Sequence, residues 1–244
     1  MKKLFAAALI AATFAGAQAS AGVILSQDFE NVTDPGNPGF YTEYSYRSGA
    51  QNTGANSMYD EGTWTIATNP NDVHSLWIDD DFASKKLILN GKSQAPGDPN
   101  TTAWQQTASV GSGTFSFSID IFDVCCVPGF SGNANSVLTF DYQIDDGSFV
   151  NITNVETHLT PLNFSEGNFD GYRMTGTFVI PDFNPKPGTL KVSVRSWNGA
   201  AGGNDFAVDN ISVAAVPEPA TWGLMIMGFG AAGAMIRKRR NALA

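Results

Sequence analysis

Gly113-Thr114-Phe115-Ser116-Phe117-Ser118-Ile119-Asp120-Ile121 is the stretch that decides the fold class. Phe115, Phe117, Ile119 and Ile121 alternate with Ser116, Ser118 and Asp120, the two-residue period of a strand with one face buried. The same period recurs outward along the chain. Leu138, Phe140, Tyr142 and Ile144 form a second run, and Leu190, Val192 and Val194 a third. Shorter strand-like runs occupy residues 23–29, 62–67, 73–78, 86–90, 172–180 and 206–213. Segments such as Pro96-Gly97-Asp98-Pro99, Asp145-Asp146-Gly147 and Pro185-Lys186-Pro187-Gly188 punctuate them as turns. About nine short strands without intervening helices predict an all-β, antiparallel two-sheet β-sandwich, best met by a jelly roll.

The two ends of the chain follow other rules. Lys2 and Lys3 precede an uncharged apolar run, Leu4 to Ala17, and then the small residues Ala19-Ser20-Ala21. This pattern predicts a signal peptide over 1–21, cleaved after Ala21, and export through the inner membrane. At the other end, Pro217-Glu218-Pro219 is followed by Trp222, an apolar run to Ile236 and the cluster Arg237-Lys238-Arg239-Arg240. A helix over 221–236 spans about 24 Å, against roughly 30 Å of hydrocarbon. It reads as a short transmembrane helix, with the basic residues 237–240 as a cytoplasmic stop. The domain organisation is therefore signal peptide 1–21, β-sandwich 22–214 and C-terminal segment 215–244.

The order Pro217-Glu218-Pro219, Trp222, apolar helix, Arg-rich end resembles a PEP-CTERM sorting signal. That resemblance implies an exosortase-type processing enzyme as partner and a Gram-negative host that makes exopolysaccharide. It also implies transient anchoring, followed by release to the cell surface or extracellular matrix. Gly223 stands where such signals carry alanine after the Trp.

Composition narrows the function further. The chain has 23 acidic and 14 basic residues. Setting aside Glu218, the four basic tail residues, Lys2 and Lys3 leaves 22 acidic and 8 basic residues in the exported part, a net charge of −14. A surface of that sign excludes nucleic acid and anionic lipid as partners. With 11% aromatic and only 15% charged residues, the exported part is a folded domain rather than a disordered stalk.

In the last strand, a strict two-residue period places Asp209 with Ala207, Ile211 and Val213 on an apolar face. A carboxylate there needs a partner, whether a cation, a Lys or Arg, or a local hydrogen bond. Gln27-Asp28-Phe29-Glu30-Asn31 near the start and Asn204-Asp205-Phe206-Ala207-Val208-Asp209-Asn210-Ile211-Ser212-Val213 near the end resemble the first and last strands of galactose-binding-like jelly rolls, carbohydrate-binding modules among them. Leu89-Asn90-Gly91, Trp104-Gln105-Gln106-Thr107 and Gly113–Ser118 add to the likeness. The resemblance implies glycan binding. It also implies a structural calcium tying Asp209 to Asp28 or Glu30, which oxygen-rich calcium coordination would suit.

Cys125 and Cys126 are the only cysteines, and export places them in an oxidising compartment. A vicinal disulfide, two separate thiols and an intermolecular bridge are the three states open to them. Asp79-Asp80-Asp81 and the tyrosines Tyr41, Tyr44 and Tyr46 are further candidates for cation or sugar contacts. Trp64, Trp77, Trp104 and Trp197 divide between core and platform roles, with Trp104 expected in the core. No nucleophile elbow, zinc-protease motif or phosphate loop occurs. The sequence thus predicts an exported, non-catalytic protein associated with exopolysaccharide. The alternatives are a carbohydrate-binding module with one defined glycan and, third, a polysaccharide-active enzyme.

Overall fold

The computed structural model describes residues 22–49, 57–79, 84–94, 100–125, 137–152, 158–161, 171–181, 187–197, 204–217 and 219–242. The expected signal peptide 1–21, Asp80, Asp81, Cys126 and Glu218 lie outside them. The chain divides into two units, one of which is Gly22–Val216. This unit is a two-layer β-sandwich.

The first sheet contains β1 (Val23–Gln27), β2 (Ser45–Tyr46), β3 (Thr63–Ala67), β4 (Lys86–Asn90), β6 (Gly113–Asp123), β9 (His158–Pro161), β10 (Gly171–Ile180) and β12 (Phe206–Ala215). Its order is β2-β3-β4-β12-β6-β10-β9, and β1 also pairs with β12. The second sheet has the order β5 (Thr101–Val110), β11 (Gly188–Trp197), β7 (Val137–Ile144), β8 (Val150–Asn151). Pairing is antiparallel except between β2 and β3.

The alternation of β6 does what its period dictates. Phe115, Phe117 and Ile119 enter the core between the sheets, where Phe117 stacks on Phe140 of β7 at 4.4 Å. Leu87 and Leu89 from β4 join them, facing Trp104, Val192 and Val194 of the second sheet. Truncating such a buried ring to alanine costs about 3–5 kcal/mol. The opposite face of the first sheet is covered as well. Ile88, Phe122 and Ala207 point outward and pack with Met58, Val73, Trp77, Ile78 and Val124 in a second apolar cluster.

Two sequence expectations change here. Residues 73–78 are not a strand. Pro70–Asp72 forms a single 3₁₀ turn capped by Asn69, and of the following residues only Trp77 makes an isolated bridge, to Cys125. Their hydrophobicity serves the second cluster rather than a ladder. Conversely, β5 carries Trp104-Gln105-Gln106-Thr107 in a ten-residue strand that its polar composition conceals.

The C-terminal helix α1 (Pro219–Ala242) runs on through the basic residues instead of stopping at Ile236. Among the described residues no helix is long and apolar enough to cross a membrane. The helix expected over 221–236 lies within this longer one. Glycines at 223, 228, 230 and 233 dilute its apolar run, while Ile226, Met227 and Phe229 are exposed.

Candidate functional site

The site grows from an irregularity in β12. Asp209 lies opposite Asp120 of β6, yet Ser212 lies opposite Ser118. Three steps on β12 thus match two on β6, a β-bulge. Asn210 takes up the extra residue at φ 49°, in the left-handed region that Asn tolerates better than most side chains. The bulge reverses the facing of the strand. Phe206 and Val208 point into the sandwich before it, and Ile211 and Val213 point into the sandwich after it. Asp209 is therefore not on the face of Ile211 and Val213, as strict alternation predicts. It stays with Ala207 on the outer face.

There Asp209 meets a network of ions. Its Oδ2 accepts from Lys86 Nζ at 3.1 Å, Ser84 Oγ at 3.0 Å and Asn210 Nδ2 at 3.4 Å, and its Oδ1 accepts from the Asn210 amide at 2.8 Å. Asp120 accepts from Arg173 Nε at 2.6 Å and Nη2 at 2.7 Å, and from Asn210 Nδ2 at 2.8 Å. The Asp209, Lys86 and Asp120 side chains are only 1%, 5% and 4% exposed, and Arg173 caps the network from the surface. Lys86 Nζ also lies 4.6 Å from the Phe122 ring centre. Burial pushes the Asp209 carboxyl above its usual range, against the opposing pull of Lys86. Two carboxylates directly across a ladder repel each other. The interposed Asn210 amide and the two cations make the arrangement tenable.

Both Asp209 oxygens are occupied by donors. Asp28 Oδ1 accepts the Glu30 amide, and Glu30 Oε1 accepts the Lys85 amide at 2.9 Å. Among the described residues no group of three or more His, Cys, Asp or Glu side chains can hold a metal ion.

Beside the network lies a polar groove of about 510 Å³. Ser26, Gln27, Asp28, Asn31, Asn210 and Ser212 line it, with the buried Ile211. Its wall continues across the sheet, since Ser26 pairs with Ser212, Ser212 with Ser118, and Ser118 with Thr175. The row places four hydroxyls in register on one face of the first sheet. Asp28 is the lone charge among the lining side chains.

On the same face, Trp77 joins two further groups. Its ring stacks on His74 at 4.5 Å, and His74 stacks on Tyr59 at 3.9 Å. Its Nε1 donates to Asp205 Oδ2 at 2.9 Å, and the Gly91 amide donates to Asp205 Oδ1 at 3.0 Å. A Cβ on Gly91 would come within 2.3 Å of Asn204, so this approach requires glycine. Burial pushes the Asp205 carboxyl up to about 6 and the His74 imidazole down to about 4.

The remaining candidates separate. Tyr44 is buried, with its hydroxyl 2.6 Å from Ser196 Oγ and its pKa pushed up to about 12 by burial. Tyr41 and Tyr46 are exposed, and Tyr46 packs edge-on against Trp64. The three tyrosines do not share a face, because only Ser45–Tyr46 of this stretch is strand. Trp64, Trp77 and Trp104 are core residues. Asp79 accepts from Asn69 Nδ2 at 2.8 Å. Cys125 is disulfide-bonded, and the chain has one other cysteine, Cys126. Sequence reasoning missed Lys86, Asp120, Arg173 and Asn210. Their one local signal was Asp120 in a run whose other polar positions are serines.

At the C-terminus, residues 215–240 match the model of the PEP-CTERM protein-sorting motif. The chain carries a PEP-CTERM sorting signal. The motif marks an exported substrate of membrane-associated sorting by an exosortase, and Pro217, Glu218, Pro219 and Trp222 fall within it. No curated protein matches the chain. Among solved structures, a cyclase from Fischerella sp. TAU is similar at 16% identity and TM-score 0.49, covering 81% of this chain and 98% of its own. The CBM22-1–GH10 modules of Clostridium thermocellum xylanase 10B, complexed with xylohexaose, are similar at 8% identity and TM-score 0.39, over 80% of this chain and 29% of theirs. A carbohydrate-binding module for mannan recognition, TmCBM27, is similar at 9% identity and TM-score 0.37, over 80% and 98%. Likeness at this level transfers no activity.

Proposed function

We propose that the exported sandwich is a non-catalytic glycan-binding protein of the cell surface or extracellular matrix, associated with exopolysaccharide. The observation that carries the reading is the polar groove beside the β12 bulge. The sorting motif supports the reading, because it marks the domain for export. Saccharide hydroxyls both donate and accept, and so do the Ser and Asn side chains of the groove. A single carboxylate leaves the groove suited to a neutral or weakly charged polymer. An acid–base role finds no support in the Asp120–Asp209 pair, since its oxygens are engaged by Lys86, Arg173, Ser84 and Asn210.

A glycan array with the mature domain tests the proposal, followed by titration of the best polysaccharide against wild type and Ser26→Trp. Ser26 is exposed, so the indole fills the groove without entering the core. The expected result is saturable binding to one glycan class, weakened at least about tenfold in the variant at an unchanged unfolding midpoint. Absence of binding, or binding indifferent to Ser26→Trp, rejects the groove. Turnover of the polysaccharide rejects the non-catalytic reading.

A further inference from the structure

We infer that the dipeptide Lys85-Lys86 is the built-in cation of this sandwich, performing the strand-tying role that the jelly-roll resemblance assigns to calcium. The two lysines stand at the start of β4, Lys85 just before it and Lys86 as its first residue, and reach in different directions. Lys85 holds the segment after β1: its amide donates to Glu30 Oε1 at 2.9 Å and its Nζ to the Glu30 carbonyl at 3.2 Å. Lys86 holds the last strand through Asp209 Oδ2 at 3.1 Å, with Ser84 Oγ 2.9 Å from its Nζ. The segment after the first strand and the last strand are thereby fastened to two adjacent residues.

Ion pairing supports the assignment. The carboxylates of Asp120 and Asp209 face the cations of Arg173 and Lys86. A divalent ion would have to displace Lys86 from Asp209 Oδ2, which already accepts three hydrogen bonds. Calcium needs six to eight oxygen ligands with free lone pairs.

The test is thermal unfolding of the mature domain with chelator and with millimolar calcium chloride. The wild-type midpoint is expected to stay within about 1 °C in both. Lys86→Met strands a buried carboxylate, and its midpoint is expected to fall by roughly 6–20 °C. If that variant does not fold, the double variant Lys86→Met/Asp209→Leu, which removes both charges, is expected to fold and recover most of the loss. A chelator-induced drop of several degrees in the wild type, reversed by calcium, overturns the inference. A Lys86→Met midpoint equal to wild type overturns it too.

Discussion

Two buried groups on one tryptophan are expected to give this domain a flat pH profile, and separating them should expose two opposing slopes. Asp205 has a folded pKa of about 6 against 3.8 in the unfolded chain. The folded state therefore favours its protonated form. The associated stability is fully present below pH 3.8 and is lost as pH rises through 6. His74 has a folded pKa of about 4 against 6.5. Its contribution is present above pH 6.5 and is lost as pH falls through 4. Each shift is a little over two units, at most about 3 kcal/mol at 1.36 kcal/mol per unit. Between pH 4 and 6 the two slopes are equal in size and opposite in sign, so they cancel. Asp205→Asn removes one, and stability should then rise by up to about 3 kcal/mol from pH 4 to 6.5. His74→Phe keeps a ring between Tyr59 and Trp77, and stability should then fall by a similar amount from pH 4 to 6. Urea unfolding at half-unit pH intervals measures both, read as variant minus wild type so that other titrating groups drop out. If both variants track the wild-type curve within about 0.5 kcal/mol at every pH, apart from a constant offset, the linkage argument fails.

Asn210→Gly should keep the bulge and lose only the amide bridge between Asp120 and Asp209, whereas Asn210→Ala should also strain the φ 49° backbone. Denaturant unfolding should therefore rank wild type above glycine and glycine above alanine, with the last step near 1 kcal/mol. Intact mass after alkylation without reduction should show no free thiol and a monomer, which assigns the Cys125 bridge to Cys126; a dimer mass would assign it between chains. Protein recovered from the native host should lack the mass beyond the Pro217–Pro219 region, and retention of the whole tail would contradict processing.

The short strands of the sandwich were legible because their periods are local. Phe115, Phe117 and Ile119 alternate, and burial followed the alternation. The C-terminal sorting motif was legible for the same reason, since a three-residue motif, an apolar run and a basic cluster sit side by side in the chain. Residues 73–78 misled because hydrophobicity alone does not separate a strand from a covering segment. Their partners, Ile88, Phe122 and Ala207, belong to an outward face that appears only once the sheet is assembled.

By itself, then, the sequence determined an exported all-β domain with a sorting signal, because those features are written in neighbouring residues. Tertiary structure alone decided the partner of Asp209. One residue inserted opposite β6 turned that carboxylate away from Ile211 and Val213, and pairing across β4, β12, β6 and β10 brought Lys86 to it, Asp120 opposite it and Arg173 to Asp120. Residues as far apart as 86, 120, 173 and 209 carry no mutual signal along the chain. Strand register creates their contact, and with it the partner that the carboxylate of Asp209 required.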